Sequence, residues 1–267
     1  SRQVYNKLDI ITGKEIFPDI KTHLISIVDP KERFSSFDYA RLASSLIEEL
    51  SNKGITPIVV GGTYLYIKHL FYGIDTQIPA DWKLRNKLNK KTVSQLQKTL
   101  KDANPQIFEQ LNESDRNNPH RLIRKIEIAL RHSQPPNRHS RAGGNLSLLD
   151  PRFHGDDTRK LNNDNLSFKF IGLRFKDKEN LKKAIEKRVE QRISDGAFQE
   201  VKHLIKQGYS LKDPGLNTIG YKQLMNYYAG KVSKEKAIEE WINKEIQYAK
   251  RQYTFMKKDR NIAWKDI

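Results

Sequence analysis

The sequence has no cysteine in 267 residues. Disulfides, thiolate catalysis and cysteine-based zinc sites are therefore excluded, which fits a reducing compartment such as the cytoplasm. No apolar run approaches the roughly 18 residues of a membrane helix, and no signal peptide is visible. No His, Asp and Glu residues stand at metal-ligand spacing, and there is no Ser-His-Asp signature. A phosphate-binding loop of the G-x-x-x-x-G-K-S/T kind is missing too: "ITGK" at 11–14 is followed by Glu15, and its glycine spacing fails. Acid is scarce, with 32 Asp+Glu against 49 Lys+Arg and a net charge of +17. That excess favours a polyanionic partner, nucleic acid first and an anionic membrane surface second. A Lys- and Asn-rich compositional bias is the bland alternative.

What is present suffices for one large domain or two small ones, with 37% hydrophobic residues. "HLISIV" at 23–28 reads as a short buried strand. "FSSFDYARLASSLIEELSNKG" reads as a helix with Ser35 as N-cap and Asp38 three residues on. Its apolar stripe is Phe37, Ala40, Ala43, Ile47 and Leu50, and Gly54 marks the stop. "PIVV" at 57–60 predicts a second buried strand, "GGT" follows, and 64–73 predicts a helix. Strand, helix, strand, helix implies an α/β layer with parallel strands. From residue 74 the chain turns polar and helical, including "NNPHRLIRKIEIALRHS" with Pro119 in its first turn. Helical spacing returns at 179–207, interrupted at Asp195-Gly196, and a long final helix ends in "YAKRQYTFMKK". Residues 134–167 carry Pro-Pro, Gly-Gly and Asp-Pro without periodicity. This stretch resembles the translated product of a mobile palindromic DNA repeat and reads as an inserted surface loop, with a basic substrate-binding loop as the alternative.

Gly61, Gly62 and Thr63 stand at a helix N-terminus, where free N–H groups and the helix dipole favour anions. Capping by Thr63 is the bland alternative. Arg121, Arg124 and Lys125 form a basic helix face, either solvated or a phosphate track. Lys250, Arg251, Lys257 and Lys258 alternate with Tyr248, Tyr253 and Phe255 near the C-terminus.

Seven blocks then stand in a common order: "SRQVYNKLDI", "HLISIVDP", "FSSFDYAR", "PIVVGGTYLYIKHLFYG", "PHRLIRKIEI", "GLNTIGYKQL" and "AKRQYTF". In order and spacing they resemble the tRNA dimethylallyltransferase family. The resemblance implies transfer of a dimethylallyl group from dimethylallyl diphosphate to N6 of adenine 37, in tRNAs reading codons that begin with U. The base is flipped out of the anticodon loop, as chemistry on a stacked base requires. It implies a P-loop NTPase-like α/β core at 1–75 with a parallel sheet. A helical tRNA-binding insertion at 76–133, the loop at 134–167, and a C-terminal strand and helices at 168–267 complete the expected organisation.

Site residues follow from the same resemblance. Ser1, Arg2 and Gln3 would line the flipped adenine. Thr63 would be the catalytic residue, orienting the diphosphate bridge or the acceptor amine. Arg85 would contact the tRNA. His120, Arg121, Leu122, Ile123 and Arg124, with Asn217, Thr218, Ile219, Gly220, Tyr221 and Lys222, would grip the anticodon stem-loop. Lys250 and Arg251 would meet the diphosphate. The family implies nucleotide-type phosphate binding with Mg²⁺, a cytoplasmic monomer, and no membrane. Family members place a P-loop and an Asp before "SRQVY", so the resemblance implies an N-terminally truncated core lacking its first strand and P-loop. The expectation is a chain that does not by itself prenylate tRNA, with a catalytically dead tRNA-binding remnant as the alternative function. Ile11 where the family has Gly, and Glu245-Ile246 where it tends to have Thr-Arg, are further departures.

Overall fold

The computed structural model describes residues 2–15, 17–73, 80–132 and 168–267. Ser1 and the expected loop at 134–167 lie outside the described residues. The helices are α1 (Ser36–Asn52), α2 (Tyr64–Tyr72), α3 (Trp82–Leu88), α4 (Val93–Ala103), α5 (Pro105–Glu109), α6 (Glu113–Arg116), α7 (Pro119–His132), α8 (Lys178–Ser194), α9 (Ala197–Lys206), α10 (Tyr221–Tyr228) and α11 (Lys234–Met256). The strands are β1 (Phe170–Arg174), between α7 and α8, and β2 (Ile262–Asp266), after α11. Short 3-10 turns lie at Arg2–Val4 and Pro214–Leu216. The chain divides into two compact units. One holds the described residues up to Gly73 together with 168–267, and the other holds 80–132.

In the first unit, the local signals of α1 work as the sequence predicts. Ser35 and Asp38 form a capping box: the Ser35 N–H donates to Asp38 Oδ2 at 2.8 Å, and the Asp38 N–H donates to Ser35 Oγ at 3.3 Å. Gly54 takes a left-handed φ of 71° just beyond the helix end. The expected break at Asp195-Gly196 separates α8 from α9, and Gly196 there has φ 108°. The main core joins Leu8, Ile185, Val189, Val201, Leu204, Leu216, Tyr221, Leu224 and Trp241, all essentially closed to solvent.

The expected strands are the principal correction. Residues 23–28 do not form a strand: they make one parallel bridge, Tyr5 to Val28, while Leu24 and Ser26 adopt left-handed φ of 59° and 56°. A left-handed residue turns the chain out of the pleat that a ladder requires. Residues 57–60 are not a buried strand either, since Ile58 and Val60 are 85% and 86% exposed. Val59 packs inward, beside Ala43, Ile47 and Leu70. A strand is defined by a partner on its hydrogen-bonding edge, and none pairs with 57–60 among the described residues. The parallel sheet that is described consists of β1 and β2, with Phe170 opposite Ile262 and Arg174 opposite Asp266. The molecule is thus α/β, with a small parallel sheet and many helices.

In the second unit, α3 to α7 enclose Leu96, Leu100, Leu122 and Ile126, none with measurable exposure. Four of its helices begin on well-formed caps: Asp81 for α3, Thr92 for α4, Asn104 with Pro105 for α5, and Asn112 for α6.

Candidate active site and nucleic-acid interface

The N-terminus of α2 is tied to α11. Thr63 occupies the N-cap position but makes no capping hydrogen bond. Its Oγ1 lies 2.9 Å from the Tyr248 hydroxyl instead. The next backbone N–H, that of Tyr64, donates to Gln252 Oε1 at 3.1 Å. Tyr248 and Gln252 are one turn apart on α11 and share a face. Lys250 and Arg251, between them, are exposed. A Cβ added to Gly61 or Gly62 would meet nothing within 4 Å, so the backbone before Thr63 is open to a ligand.

Two phenols of α2 reach the segment that follows α11. The Tyr64 hydroxyl donates to Asp259 Oδ2, and that of Tyr72 donates to the same oxygen at 2.7 Å. Burial alone would raise the Asp259 carboxyl, but these donors outweigh it and hold it below its ordinary value. Burial pushes the Tyr66 phenol up to about 12, against the pull of the Arg2 guanidinium. Tyr66 and Tyr64, whose phenol is also raised, are protonated at neutral pH. They serve as hydrogen-bonding groups and not as bases.

The N-terminal residues are built into the same unit. Arg2 Nη1 donates to the Pro214 carbonyl at 3.1 Å. Gln3 Nε2 donates to the carbonyls of Gly13 at 2.8 Å and Thr12 at 3.2 Å. Lys14, with a side chain only 5% exposed, donates to the Tyr5 carbonyl at 2.5 Å, Asp9 Oδ1 at 2.6 Å and Ser26 Oγ at 2.7 Å.

Residues 217–222 divide by burial. Asn217 and Lys222 are exposed, while Thr218 and Ile219 are half-buried. Tyr221 is fully buried and donates its hydroxyl to Glu200 Oε1 at 2.5 Å. It supports the segment from the core. Gly220 has φ 90°, and a Cβ there would strike Ile11 and come within 3.0 Å of Trp241. Left-handed strain and overpacking each cost about 1–3 kcal/mol. Gly220→Ala is therefore expected to lower the unfolding free energy by about 3 kcal/mol, read from urea melts. An unchanged midpoint would show that the contact relaxes.

Glu245, the departure noted in the sequence, occupies a defined place. It accepts from Arg188 Nη2 at 3.1 Å, Arg192 Nη1 at 3.4 Å and Trp241 Nε1 at 3.3 Å.

In the second unit, Arg85 makes a fork to a buried carboxylate. Its Nε and Nη2 each reach Glu127 at 2.6 Å, and the Asp81 N–H and Arg124 Nη1 add bonds at 2.8 and 3.0 Å. The Arg85 guanidinium also sits 4.9 Å from the Trp82 ring centre. Leu122 and Ile123 are buried in the core of this unit, so within 120–124 the side chains at the surface are His120, Arg121 and Arg124. Arg121 also forms an ion pair with Asp115.

Burial alone would raise the Glu127 carboxyl. The bonds from Arg85, Arg124 and the Asp81 N–H prevail and hold it below the ordinary 4.5. A lowered folded-state value means that its stabilisation is complete above about 4.5 and disappears as pH falls through the lower value. Glu127→Gln is expected to destabilise the protein by about 2–3 kcal/mol at neutral pH, because the half-buried guanidiniums of Arg85 and Arg124 lose their buried counter-charge. Thermal melts should show the gap to wild type closing in acid. A gap that does not depend on pH would refute the electrostatic role.

Among the described residues, no group of three or more His, Asp or Glu side chains could hold a metal. No described helix is long and apolar enough to cross a membrane.

An α/β unit carries an open Gly-Gly-Thr turn braced by a basic helix, and a helical unit bears further arginines: the layout of an enzyme that handles a phosphate-rich substrate. The IPP transferase family model matches residues 3–259, and the chain belongs to that family. It is 34% identical to a tRNA dimethylallyltransferase of Acetivibrio thermocellus, over 99% of this chain and 80% of the relative. A tRNA dimethylallyltransferase of Aquifex aeolicus is 33% identical, over 100% of this chain and 81% of the relative. The solved tRNA isopentenylpyrophosphate transferase of Bacillus halodurans superposes with a TM-score of 0.64 at 30% identity, over 100% of this chain and 79% of the other.

The sequence reading missed Tyr248 and Gln252 as partners of the Gly-Gly-Thr turn. Their i, i+4 spacing within "YAKRQ" was the available signal, but the flanking charges drew attention to Lys250 and Arg251 instead.

Proposed function

We propose that this protein transfers a dimethylallyl group from dimethylallyl diphosphate to N6 of adenine 37 in tRNAs reading codons that begin with U. The observation that carries the reading is the family match along residues 3–259, which spans the Gly-Gly-Thr turn, the basic helices and the segment at 217–222. In the reaction, N6 attacks C1 of the prenyl group. The C1–O bond breaks, its electron pair departs with diphosphate, and N6 releases one proton to water.

Each residue's part follows from the family motif that contains it. Thr63 orients the acceptor amine, Arg2 and Gln3 border the adenine, and the exposed Lys250 and Arg251 meet diphosphate charge. Asn217, Lys222, His120, Arg121 and Arg124 meet tRNA phosphates and stem edges, with Thr218 and Ile219 beside them. Arg85, forked onto Glu127, presents what remains of its edge and the face of Trp82 to the RNA. The first unit is read as a P-loop NTPase-like core acting in the cytoplasm as a monomer, with Mg²⁺ accompanying the diphosphate as the family's usual counter-ion.

The test is incubation of the full-length protein with radiolabelled dimethylallyl diphosphate and unmodified tRNA. Label is expected in the tRNA, and Thr63→Val is expected to reduce its rate about 10²-fold. Label entering a tRNA that lacks an adenine beside the anticodon at the same rate would contradict the assignment.

A further inference from the structure

We propose that Tyr248 is a positioning residue that fixes the direction of the Thr63 hydroxyl, and that it does so by taking the Thr63 proton. The inference rests on the reading of Thr63 as the residue that orients the acceptor amine. A threonine hydroxyl has one proton to give and two lone pairs to receive. At an N-cap it ordinarily spends a lone pair on a backbone N–H of the first turn. Thr63 does not do this. Its oxygen stands 2.9 Å from the Tyr248 hydroxyl, contributed by a helix 185 residues further along the chain. The neighbouring N–H of Tyr64, which a cap could have served, is taken by Gln252 at 3.1 Å. Two residues of one α11 face thus relieve Thr63 of the capping task and give its hydroxyl a different partner.

The chemistry of the acceptor decides which way the bond between Thr63 and Tyr248 must run. An exocyclic adenine amine attacks carbon through its nitrogen electron pair. A hydroxyl proton aimed at that nitrogen would tie the pair up and slow the attack. A hydroxyl lone pair aimed at an amine hydrogen holds the nitrogen in place and leaves its pair free. For Thr63 to present a lone pair, its proton must be directed elsewhere. The Tyr248 oxygen, 2.9 Å away, is an acceptor in reach. The two segments are joined a second time, through the Tyr64 hydroxyl and Asp259 beyond the end of α11.

The experiment is a kinetic double-mutant cycle on the full-length protein: wild type, Tyr248→Phe, Thr63→Val and the double variant, with tRNA and dimethylallyl diphosphate. Tyr248→Phe keeps the ring and removes only the oxygen. It is expected to lower kcat about 10- to 100-fold while KM for tRNA moves by less than about threefold, the signature of an interaction exerted in the transition state. In the Thr63→Val background the same change is expected to have no further effect beyond about twofold. Unaltered kcat in Tyr248→Phe, or an equal loss with and without the Thr63 hydroxyl, would overturn the proposal and leave the functional reading intact. A wild-type protein that transfers no prenyl group would overturn both. A loss that tracks a falling melting temperature, and that is the same in both backgrounds, would assign Tyr248 to folding alone and count against the proposal.

Discussion

Binding of an anticodon stem-loop is expected to fall about 10³-fold between roughly 50 and 200 mM salt, the loss given by about six neutralised phosphates. The sequence carries +17 net charge, and Lys222, Lys250, Arg251, His120 and Arg121 are all exposed. Each phosphate contact releases condensed counterions, so affinity drops linearly on a log–log plot. Replacing Lys222 by Ala should lower the slope by about one, because one contact is lost. Arg121 should give a smaller change, since Asp115 already draws on its charge. A flat salt response in a filter-binding or fluorescence titration would show that the excess charge is compositional and that recognition rests on other contacts.

The largest stability loss is expected at Glu200. One carboxylate serves four donors: Oε2 accepts from the backbone N–H groups of Asp9 at 2.9 Å and Ile10 at 2.7 Å, and Oε1 accepts from the Ile11 N–H at 3.3 Å and the Tyr221 hydroxyl at 2.5 Å. This fastens the turn after Leu8 to α9 and α10 across some 190 residues of sequence. Glu200→Ala leaves the Tyr221 hydroxyl, which is buried, and three N–H groups without partners. Unsatisfied buried groups cost about 1–3 kcal/mol each, so a loss of about 4–6 kcal/mol is expected once water reaches the more open ones. Chemical denaturation would measure it. Glu200→Gln should recover part of the loss, because its carbonyl oxygen can still accept. A loss under about 1 kcal/mol would mean that the turn is held mainly by packing around Leu8 and Ile11.

The helices were legible in the sequence because their signals are local. The Ser35–Asp38 box, the Asp195-Gly196 break and Pro119 at the start of α7 each act within a few residues. The strands were less legible for the opposite reason. "PIVV" has the composition of a buried strand, yet burial depends on a partner elsewhere in the chain, and Ile58 and Val60 face solvent. In "HLISIV" the left-handed Leu24 and Ser26 cannot be read from residue types that normally avoid that region. In β2, "IAWKD" alternates Ile262 and Trp264 on one face, but its partner β1 lies about 90 residues earlier, so no local signal fixes the pairing.

The candidate site was read at the level of its motifs and not of its contacts. The Gly-Gly-Thr turn could be found because glycines before a helix advertise open backbone. That Thr63 would pair with Tyr248 could not, since nothing local in either segment brings them together. Leu122, Ile123 and Tyr221 entered the RNA-binding set by lying in a motif. Their burial instead makes them supports for the exposed neighbours, a distinction that only the packed helix faces reveal.

The most direct measurement is the identity and position of the modified nucleoside. tRNA incubated with the full-length protein and dimethylallyl diphosphate would be digested and its nucleosides separated and analysed by mass spectrometry, with sequencing of the anticodon arm. The account predicts a dimethylallyl group on N6 of the adenine beside the anticodon, in tRNAs that read codons beginning with U. Prenyl transfer to another position or base, or tRNA that binds with the expected salt dependence but remains unmodified, would contradict it.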